Sequence, residues 1–372
     1  SRKTGQQAAI ARCTMHSFAA EVIGDPRIHK RTVAVPVRTQ QGWDVMLYIP
    51  HTVLDGNLPQ NGQRIAFGGR LRPVASDSMR YRLYSGITAT AYARRIAFVE
   101  RVPHSIFMRW RRALMQRIRS SALSDDTKAL CQALTVAYRS EIRHDVMRSF
   151  RDAGAAHLLA LSGMHLGVLV ALLYALLGNE VRNRWRDTMI MLCAVWAFVL
   201  VAGAPWSLLR AALFLTLVLT ANLTRRRVLL TDRIWPSLLA ILCISPHALF
   251  DAGVQLSFSA MLGIGLLECR RASLAALPWG VRQVCSLAAM SAVCTVATIP
   301  ATAGIFGQVA LYGAVSNLLL IPLTTLALYG SLAVLAFPHP VLCQAMSHLV
   351  AITQHVADLF ASLPHAVIVT SL

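Results

Sequence analysis

From residue 158 onward the chain is dominated by long apolar runs: 158–177, 189–203, 207–223, 235–250, 253–267, 283–303, 309–336 and 341–363. Crossing a hydrocarbon core takes about 20 apolar residues, so this pattern predicts about eight membrane spans. The 309–336 run exceeds one span, and Pro322 is where it is expected to break. Before residue 100 the period is different. Short alternating runs recur at Thr32–Val37, Trp43–Ile49, Arg64–Phe67 and Gly86–Ala91, separated by turn signals such as Gly24-Asp-Pro26, Asp55-Gly-Asn57 and Asn61-Gly62. That alternation predicts a small β-barrel or sandwich. Paired glycines at Gly68 and Gly69 allow the hard bend that an OB-like barrel needs.

Between these regions, Ile106, Phe107, Trp110, Leu114 and Ile118 recur at helical spacing, with Arg109, Arg111, Arg112, Arg117 and Arg119 at the other positions. A basic face beside an apolar stripe predicts a helix lying on a membrane surface; packing against the barrel is the alternative. Ser124-Asp-Asp-Thr127 reads as the start of a second helix through Lys128–Tyr138. The fold class expected is therefore a polytopic α-helical membrane protein with an N-terminal small β-barrel (OB-like) soluble domain. Its expected parts are the barrel at 1–100, interfacial or linking helices at 101–156, and the helical membrane domain at 157–372.

Composition agrees with a membrane protein. Of the 372 residues 55% are hydrophobic and only 14% charged, whereas soluble domains are nearer a quarter charged. The net charge is +19, carried almost wholly by arginine, since the lysines are Lys3, Lys30 and Lys128. Arginine forks suit phosphate, but the same charge suits anionic lipid or the basic inner loops of any membrane protein. The eight cysteines include no Cys-x-x-Cys pair, so they read as small core residues. Cys13 and Cys131 could pair only outside the cytoplasm. The chain starts at Ser1 without Met, signal peptide or leading apolar span, as expected of a fragment or of a protein whose earlier anchor is missing.

The basic connections alternate. Arg182, Arg184 and Arg186 lie in 178–188, Arg225, Arg226, Arg227 and Arg233 in 224–234, and Arg270, Arg271 and Arg282 in 268–282. The positive-inside rule assigns these to the cytoplasm. By parity the turns at 202–206, 250–253 and 304–308 lie outside, together with His157 and the barrel. Polar residues gather just inside that outer edge: His157, Ser162, Gly163, His165 and Gly167, then Ser207 and Arg210, then Asp251, Gln255 and Ser257. Ionisable groups in spanning segments line pathways or pair with one another. The expectation is a polar funnel; the plainer account is a set of interfacial turns with Arg210 and Asp251 forming a structural ion pair. In the barrel, Arg64, Arg70, Arg72, Arg80, Tyr81, Arg82 and Tyr84 interleave basic and aromatic side chains, a composition that binds single-stranded nucleic acid. A solvated strand edge would have the same composition.

These residues also carry a family resemblance. His157-Leu-Leu-Ala-Leu-Ser-Gly-Met-His-Leu-Gly167 resembles the signature of the ComEC-type competence proteins. So do Ser207…Arg210, Asp251…Gln255-Leu-Ser-Phe258, Ile299-Pro300…Phe306-Gly307 and Asn317…Pro322, in that order. The barrel resembles the OB-like domain preceding the membrane domain in that family. The resemblance covers roughly residues 15–340 and implies an inner-membrane channel admitting single-stranded DNA during natural transformation. It implies DNA, the lipid bilayer and other uptake proteins (a DNA receptor and a cytoplasmic helicase) as partners, and a homo-oligomer as a possible assembly. Two departures stand out. No His-x-His-x-Asp-His set of a metallo-β-lactamase-like domain occurs, so no nuclease activity is expected, and Thr135-Val-Ala-Tyr-Arg139 lacks the glycine usual before the arginine.

No cofactor, metal site or catalytic residue is expected. The alternatives are an intramembrane serine hydrolase using Ser162 with His157 or His165, and a small-solute transporter. A hydrolase needs nucleophile and base in contact, which spacing alone does not establish. No inverted repeat supports a transporter.

Overall fold

The computed structural model describes residues 17–24, 26–28, 31–54, 58–59, 61–73, 87–100, 106–177, 184–223, 230–244, 249, 251–268 and 278–370. The chain divides into two units, Ser1–Ser105 and Ile106–Leu372.

In the first unit the alternating runs become strands β1 (Ser17–Val22), β2 (Arg27–Ile28), β3 (Thr32–Thr39), β4 (Asp44–Pro50), β5 (Arg64–Gly68), β6 (Leu71–Pro73), β7 (Ala89–Tyr92) and β8 (Arg95–Glu100). They form one mixed sheet in the order β6-β7-β4-β3-β1-β5-β8, with β2 on β3. Every pairing is antiparallel except β4 with β7. The period of two puts Phe18, Val35, Val37, Leu47, Ile49, Ile65 and Phe67 into one apolar core. Strands β5 and β6 are separated only by Gly69 and Arg70. A side chain at Gly69 would drive its Cβ into the Tyr92 carbonyl oxygen, so only glycine lets the two chains approach there. Arg38 donates to both carboxylate oxygens of Asp44, at 2.7 and 3.1 Å; this bond and the Asp44 charge raise the Arg38 pKa.

The second unit is helical: α1 (Ile106–Arg119), α2 (Asp125–Val136), α3 (His144–Asp152), α4 (Gly163–Leu177), α5 (Arg184–Val201), α6 (Trp206–Leu223), α7 (Leu230–Ile244), α8 (Ala252–Glu268), α9 (Trp279–Phe306), α10 (Gly313–Ala336) and α11 (Pro340–Ala361). Within α9 and α10, the stretches Gly280–Phe306 and Gly313–Ala336 are long and apolar enough to cross a membrane. Shorter apolar stretches lie at Gly163–Ala175, Trp206–Ala221, Ile234–Cys243 and Ala252–Leu267. Two short strands, β9 (Gln308–Ala310) and β10 (Val367–Val369), pair antiparallel and tie the end of the chain to the α9–α10 turn.

Several expectations need correction. Pro322 does not break its helix: α10 runs unbroken through it. Its buried face, Ser316, Leu320, Thr324, Ala327, Ser331 and Val334, packs into the largest apolar cluster, and such packing outweighs one missing N–H. The run at 158–177 is helical only from Gly163, after a 3-10 turn at Ala156–Leu159 and an extended Ala160. Two positions of the basic region depart from the expected faces. On α1, Arg111 is buried and Trp110 exposed; the Arg111 Nε and Nη2 donate to the Val136 carbonyl at 3.2 and 3.1 Å, closing the C-terminus of α2. Helix α2 is buried from Ala129 through Val136, and its Ser124 N-cap accepts from Thr127 N–H. It is a core helix of the unit.

Close backbone contact fixes α10 against the segment before α4. Gly154 has φ 77°, and a Cβ there would stand 2.6 Å from the Cα of Gly313. Ser316 Oγ donates to the Ala153 carbonyl at 2.6 Å beside it. Gly307 also has positive φ (63°), but its Cβ would meet only the Thr370 carbonyl oxygen at 3.6 Å. Gly154→Ala should therefore lower the thermal unfolding midpoint of the detergent-solubilised protein well beyond Gly307→Ala. The first combines left-handed strain with overpacking of about 1–3 kcal/mol; the second carries strain alone. Equal shifts would contradict the close packing.

Candidate functional site

Helix α6 joins two polar groups. The first is the break before α4. Ser162 is the N-cap, its carbonyl accepting from Leu166 N–H at 3.3 Å. His165 reaches back so that its Nδ1 accepts the Ser162 backbone N–H at 3.3 Å and lies 3.1 Å from Ser162 Oγ. This is the return half of a capping box, with imidazole in place of the usual Glu or Gln. Because a backbone N–H can only donate, Nδ1 is an acceptor and the neutral ring carries its proton on Nε2. That atom is buried and has no partner among the described residues. Ser207 Oγ donates to the Leu161 carbonyl at 2.9 Å, pinning the start of α6 to the break. Gly163 keeps the two helices close, since its Cβ would meet Ala211 Cβ at 3.4 Å. His157 on the 3-10 turn is exposed, as are Gly163 and Gly167.

One turn along α6 stands the second group. Arg210 is only 7% exposed. Its Nη2 donates to Ser257 Oγ at 3.1 Å, and its Nη1 lies 3.7 Å from Asp251 Oδ1. Its Nε has no partner among the described residues. Asp251 also caps α8, accepting the Val254 N–H at 2.9 Å. Gln255 donates to the Leu249 carbonyl at 3.1 Å. Gly253 leaves room for the pair: a Cβ would lie 3.1 Å from both Arg210 Nη2 and Asp251 Oδ1. Phe258 is buried in the apolar cluster alongside Val254 and Ile241. One bond to a hydroxyl and one long ion-pair contact leave the guanidinium with donor capacity to spare.

The structure thus joins Ser162, Gly163, His165, Ser207, Arg210, Asp251 and Ser257 through α4, α6 and α8. The other motif residues belong to α9 and α10. Pro300 lies inside α9, Phe306 is exposed at its end, and Gly307 is its C-cap. Asn317 is buried on α10, with Oδ1 unpartnered among the described residues, and Pro322 lies further along that helix.

On the sheet, Arg64, Arg70 and Arg72 are exposed; Arg80, Tyr81, Arg82 and Tyr84 lie outside the described residues. A feature not foreseen lies on the same sheet. Tyr48 and Tyr92 stack with centroids 5.2 Å apart, and Arg94 follows just beyond β7, its backbone N–H bonding the Gly68 carbonyl at 2.8 Å. Parallel pairing of β4 with β7 brings these tyrosines opposite each other; they are 44 positions apart in sequence, so no local pattern announces the pair. Among the described residues no group of three or more His, Cys, Asp or Glu side chains could hold a metal ion.

Known proteins add a family to this geometry. The profile described as Competence protein matches residues 134–372, the whole stretch from the end of α2 through α11. The chain belongs to the competence protein family, of the ComEC type. It is 30% identical over 210 residues to the ComE operon protein 3 of Bacillus subtilis (strain 168), covering 55% of this chain and 26% of that relative. No solved structure matches. The motifs that suggested this competence family, from His157 to Pro322, all fall inside the matched region.

The dual role of Asp251 makes the pair asymmetric. Arg210→Ala leaves the cap on α8 intact, whereas Asp251→Ala removes the cap and strands a buried cation. Asp251→Ala should therefore reduce the amount of protein in the membrane fraction more than Arg210→Ala does, with cap loss alone contributing about 1 kcal/mol. Equal loss, read by immunoblot of the membrane fraction, would make the pair a purely structural ion pair.

Proposed function

We propose that this chain is a component of the inner-membrane conduit that passes single-stranded DNA into the cytoplasm during natural transformation. The observation carrying the proposal is Arg210. Its buried guanidinium stands among apolar helices at a break shared by α4, α6 and α8, with an incomplete set of partners. A cation in such surroundings is retained where water, an acid or a passing anion compensates it, and a phosphodiester is such an anion. Conduction requires that binding remain weak enough for release. A few arginines against small residues such as Gly163, Gly167 and Gly253 meet that need better than a dense basic cluster.

Membership of the competence family supports DNA uptake as the context. In this reading α4 through α11 form a multi-pass domain of the cytoplasmic membrane, and the alternating arginine connections set the motif side outward. The N-terminal sheet closes into an OB-like barrel on that outer side: β5–β6 and β7–β8 are two bent strands that pair along both halves. Arg70, Arg72, Tyr92 and Arg94 around β6 and β7 then meet the incoming strand by stacking and phosphate contact. The role is conduction, with no catalysis in this chain; a DNA receptor, a cytoplasmic helicase and further copies of the chain are the expected partners.

One observation favours a second reading. Ser162 Oγ and His165 Nδ1 are 3.1 Å apart, the contact an intramembrane serine hydrolase would need. The ring lacks a carboxylate to orient it among the described residues, and its geometry is accounted for by the N-cap.

DNA uptake measured on strains with matched amounts of protein separates these readings. Arg210→Lys, which keeps the charge and loses the fork, should reduce uptake partially. Arg210→Ala should reduce it by roughly one to two orders of magnitude, the scale of a lost charged hydrogen bond of about 1.5–3 kcal/mol. Ser162→Ala should retain uptake. Abolition by Ser162→Ala with normal uptake in Arg210→Ala would favour the hydrolase. For the sheet, binding to single-stranded DNA should weaken with salt, and replacing Arg70 and Arg72 by Ala should flatten the slope by about 0.7 for each phosphate no longer neutralised. An unchanged slope would return these arginines to a solvated edge.

A further inference from the structure

Two helix C-termini meet at one arginine that none of the motifs contains. Arg111 on α1 precedes the matched stretch of residues 134–372, yet it belongs to the helical unit that starts at Ile106. Its side chain is buried. Nε and Nη2 converge on one acceptor, the carbonyl of Val136, the last residue of α2. The same guanidinium lies on the α5–α6 turn: a Cβ at Gly203 would stand 3.6 Å from both its Cζ and its Nη1.

Both helix ends turn through the left-handed region. Helix α2 is capped by Ala137 at φ 57°. Helix α5 closes in a Schellman turn, in which Gly203 N–H bonds the Leu200 carbonyl at 3.1 Å and Ala204 N–H the Val199 carbonyl at 2.8 Å. Gly203 has φ 83° and Ala204 φ 49°. The last carbonyls of a helix lack intrahelical partners and carry partial negative charge, so a guanidinium is well matched to a place where two such ends adjoin. Further along α1, Arg117 closes a third end by donating to the Ala336 carbonyl of α10 at 3.2 Å.

The polar site begins directly after these ends. Ala137 and Ala204 pack against the apolar cluster shared by α4, α5 and α6. Just beyond Ala204, Ser207 bonds the Leu161 carbonyl, and the next turn of α6 carries Arg210. We propose that Arg111 is a positioning residue for this site. It holds the α5–α6 turn against the end of α2, and thereby sets the start of α6, with Ser207 and Arg210, against the break before α4. Its consequence for conduction rests on the conduit reading of that site; the placement itself does not. Lysine is a poor substitute, because an ammonium on a flexible stem has neither the fixed pair of donors nor the flat face that lies on Gly203.

Disulfide trapping reads the placement without DNA. A Cβ at Gly163 would lie 3.4 Å from the Ala211 Cβ, across α4 and α6, close to the Cβ spacing of about 3.5–4.5 Å in a disulfide. A Cβ at Gly263 would lie 3.0 Å from the Ala297 Cβ, on α8 and α9, which carry neither Val136 nor Gly203. The full chain, with its native cysteines replaced by serine, receives G163C/A211C or G263C/A297C. Oxidation by copper phenanthroline in native membranes is followed as loss of thiols reactive to a PEG-maleimide, at equal amounts of inserted protein. With Arg111→Ala the 163–211 pair should form about fivefold more slowly or worse, the shift that loss of one net hydrogen bond produces. Arg111→Lys should fall between, and the 263–297 pair should keep its parent rate throughout. An unchanged 163–211 rate would overturn the proposal. So would equal slowing of both pairs, which is general loosening, or failure of the 163–211 pair to form in the parent. If Arg111→Ala does not accumulate, Arg111→Lys is judged by the same criteria. A slowed 163–211 pair with undiminished DNA uptake in the same Arg111 variant would uphold the placement and remove the site from the conduit.

Discussion

A guanidinium surrounded by apolar helices constrains everything around it. Arg210 cannot be left bare in hydrocarbon, so α8 must begin where Asp251 can both cap it and face Arg210, and Gly253 must lack a side chain for the two to meet. Ser257 lies a turn and a half beyond Asp251 on the same helix and takes the second bond. Toward the other side, Ser207 lies one turn before Arg210 and fastens α6 to the break before α4. The interruption at Ala160–Ser162 is therefore part of the same arrangement. A continuous helix from residue 158 would satisfy its own backbone and offer Ser207 no free Leu161 carbonyl.

The second constraint is α10. Its buried stripe of Ser316, Thr324 and Ser331 meets the segment before α4 and its own backbone through short hydroxyl bonds, and small residues allow backbones to approach, as is common between helices in membranes. Gly154 against Gly313 is the tightest of these contacts. Through it, the level of the 3-10 turn carrying His157 is set by α10, while the level of Ser162 and His165 is set by α6. The polar site thus depends on two independent anchors only eight residues apart in sequence.

Much of this was legible beforehand. Alternation predicted β3, β4, β5 and β7 because each strand buries one face. The apolar runs located α4 through α11 to within a few residues because helices among helices or lipid are apolar on most sides. Loop parity grouped Ser162, Ser207, Arg210, Asp251 and Ser257 at one kind of helix end, while the contacts Ser207–Leu161, Arg210–Ser257 and Arg210–Asp251 appear only in the fold. What failed did so for tertiary reasons. Trp110 and Arg111 exchange the places that amphipathicity assigns them because Arg111 closes the end of α2, a partner 25 residues away. Pro322 reads as a helix breaker, yet packing on both sides of it keeps α10 whole. The Tyr48–Tyr92 stack depends on a parallel strand pairing that no local signal encodes. His165 was legible as a special residue, but its capping role is visible only once Gly163 is known to start the helix.

The central claim is that the strand passes along the face where α4, α6 and α8 meet. A photo-reactive benzophenone side chain in place of Gln255, illuminated while cells take up labelled DNA, tests it most directly. The account predicts a covalent adduct with single-stranded DNA at position 255 and none when the same group replaces Leu239, an exposed apolar residue of α7 that is 64% exposed. Normal uptake with no adduct at position 255, or equal adducts at both positions, would contradict it.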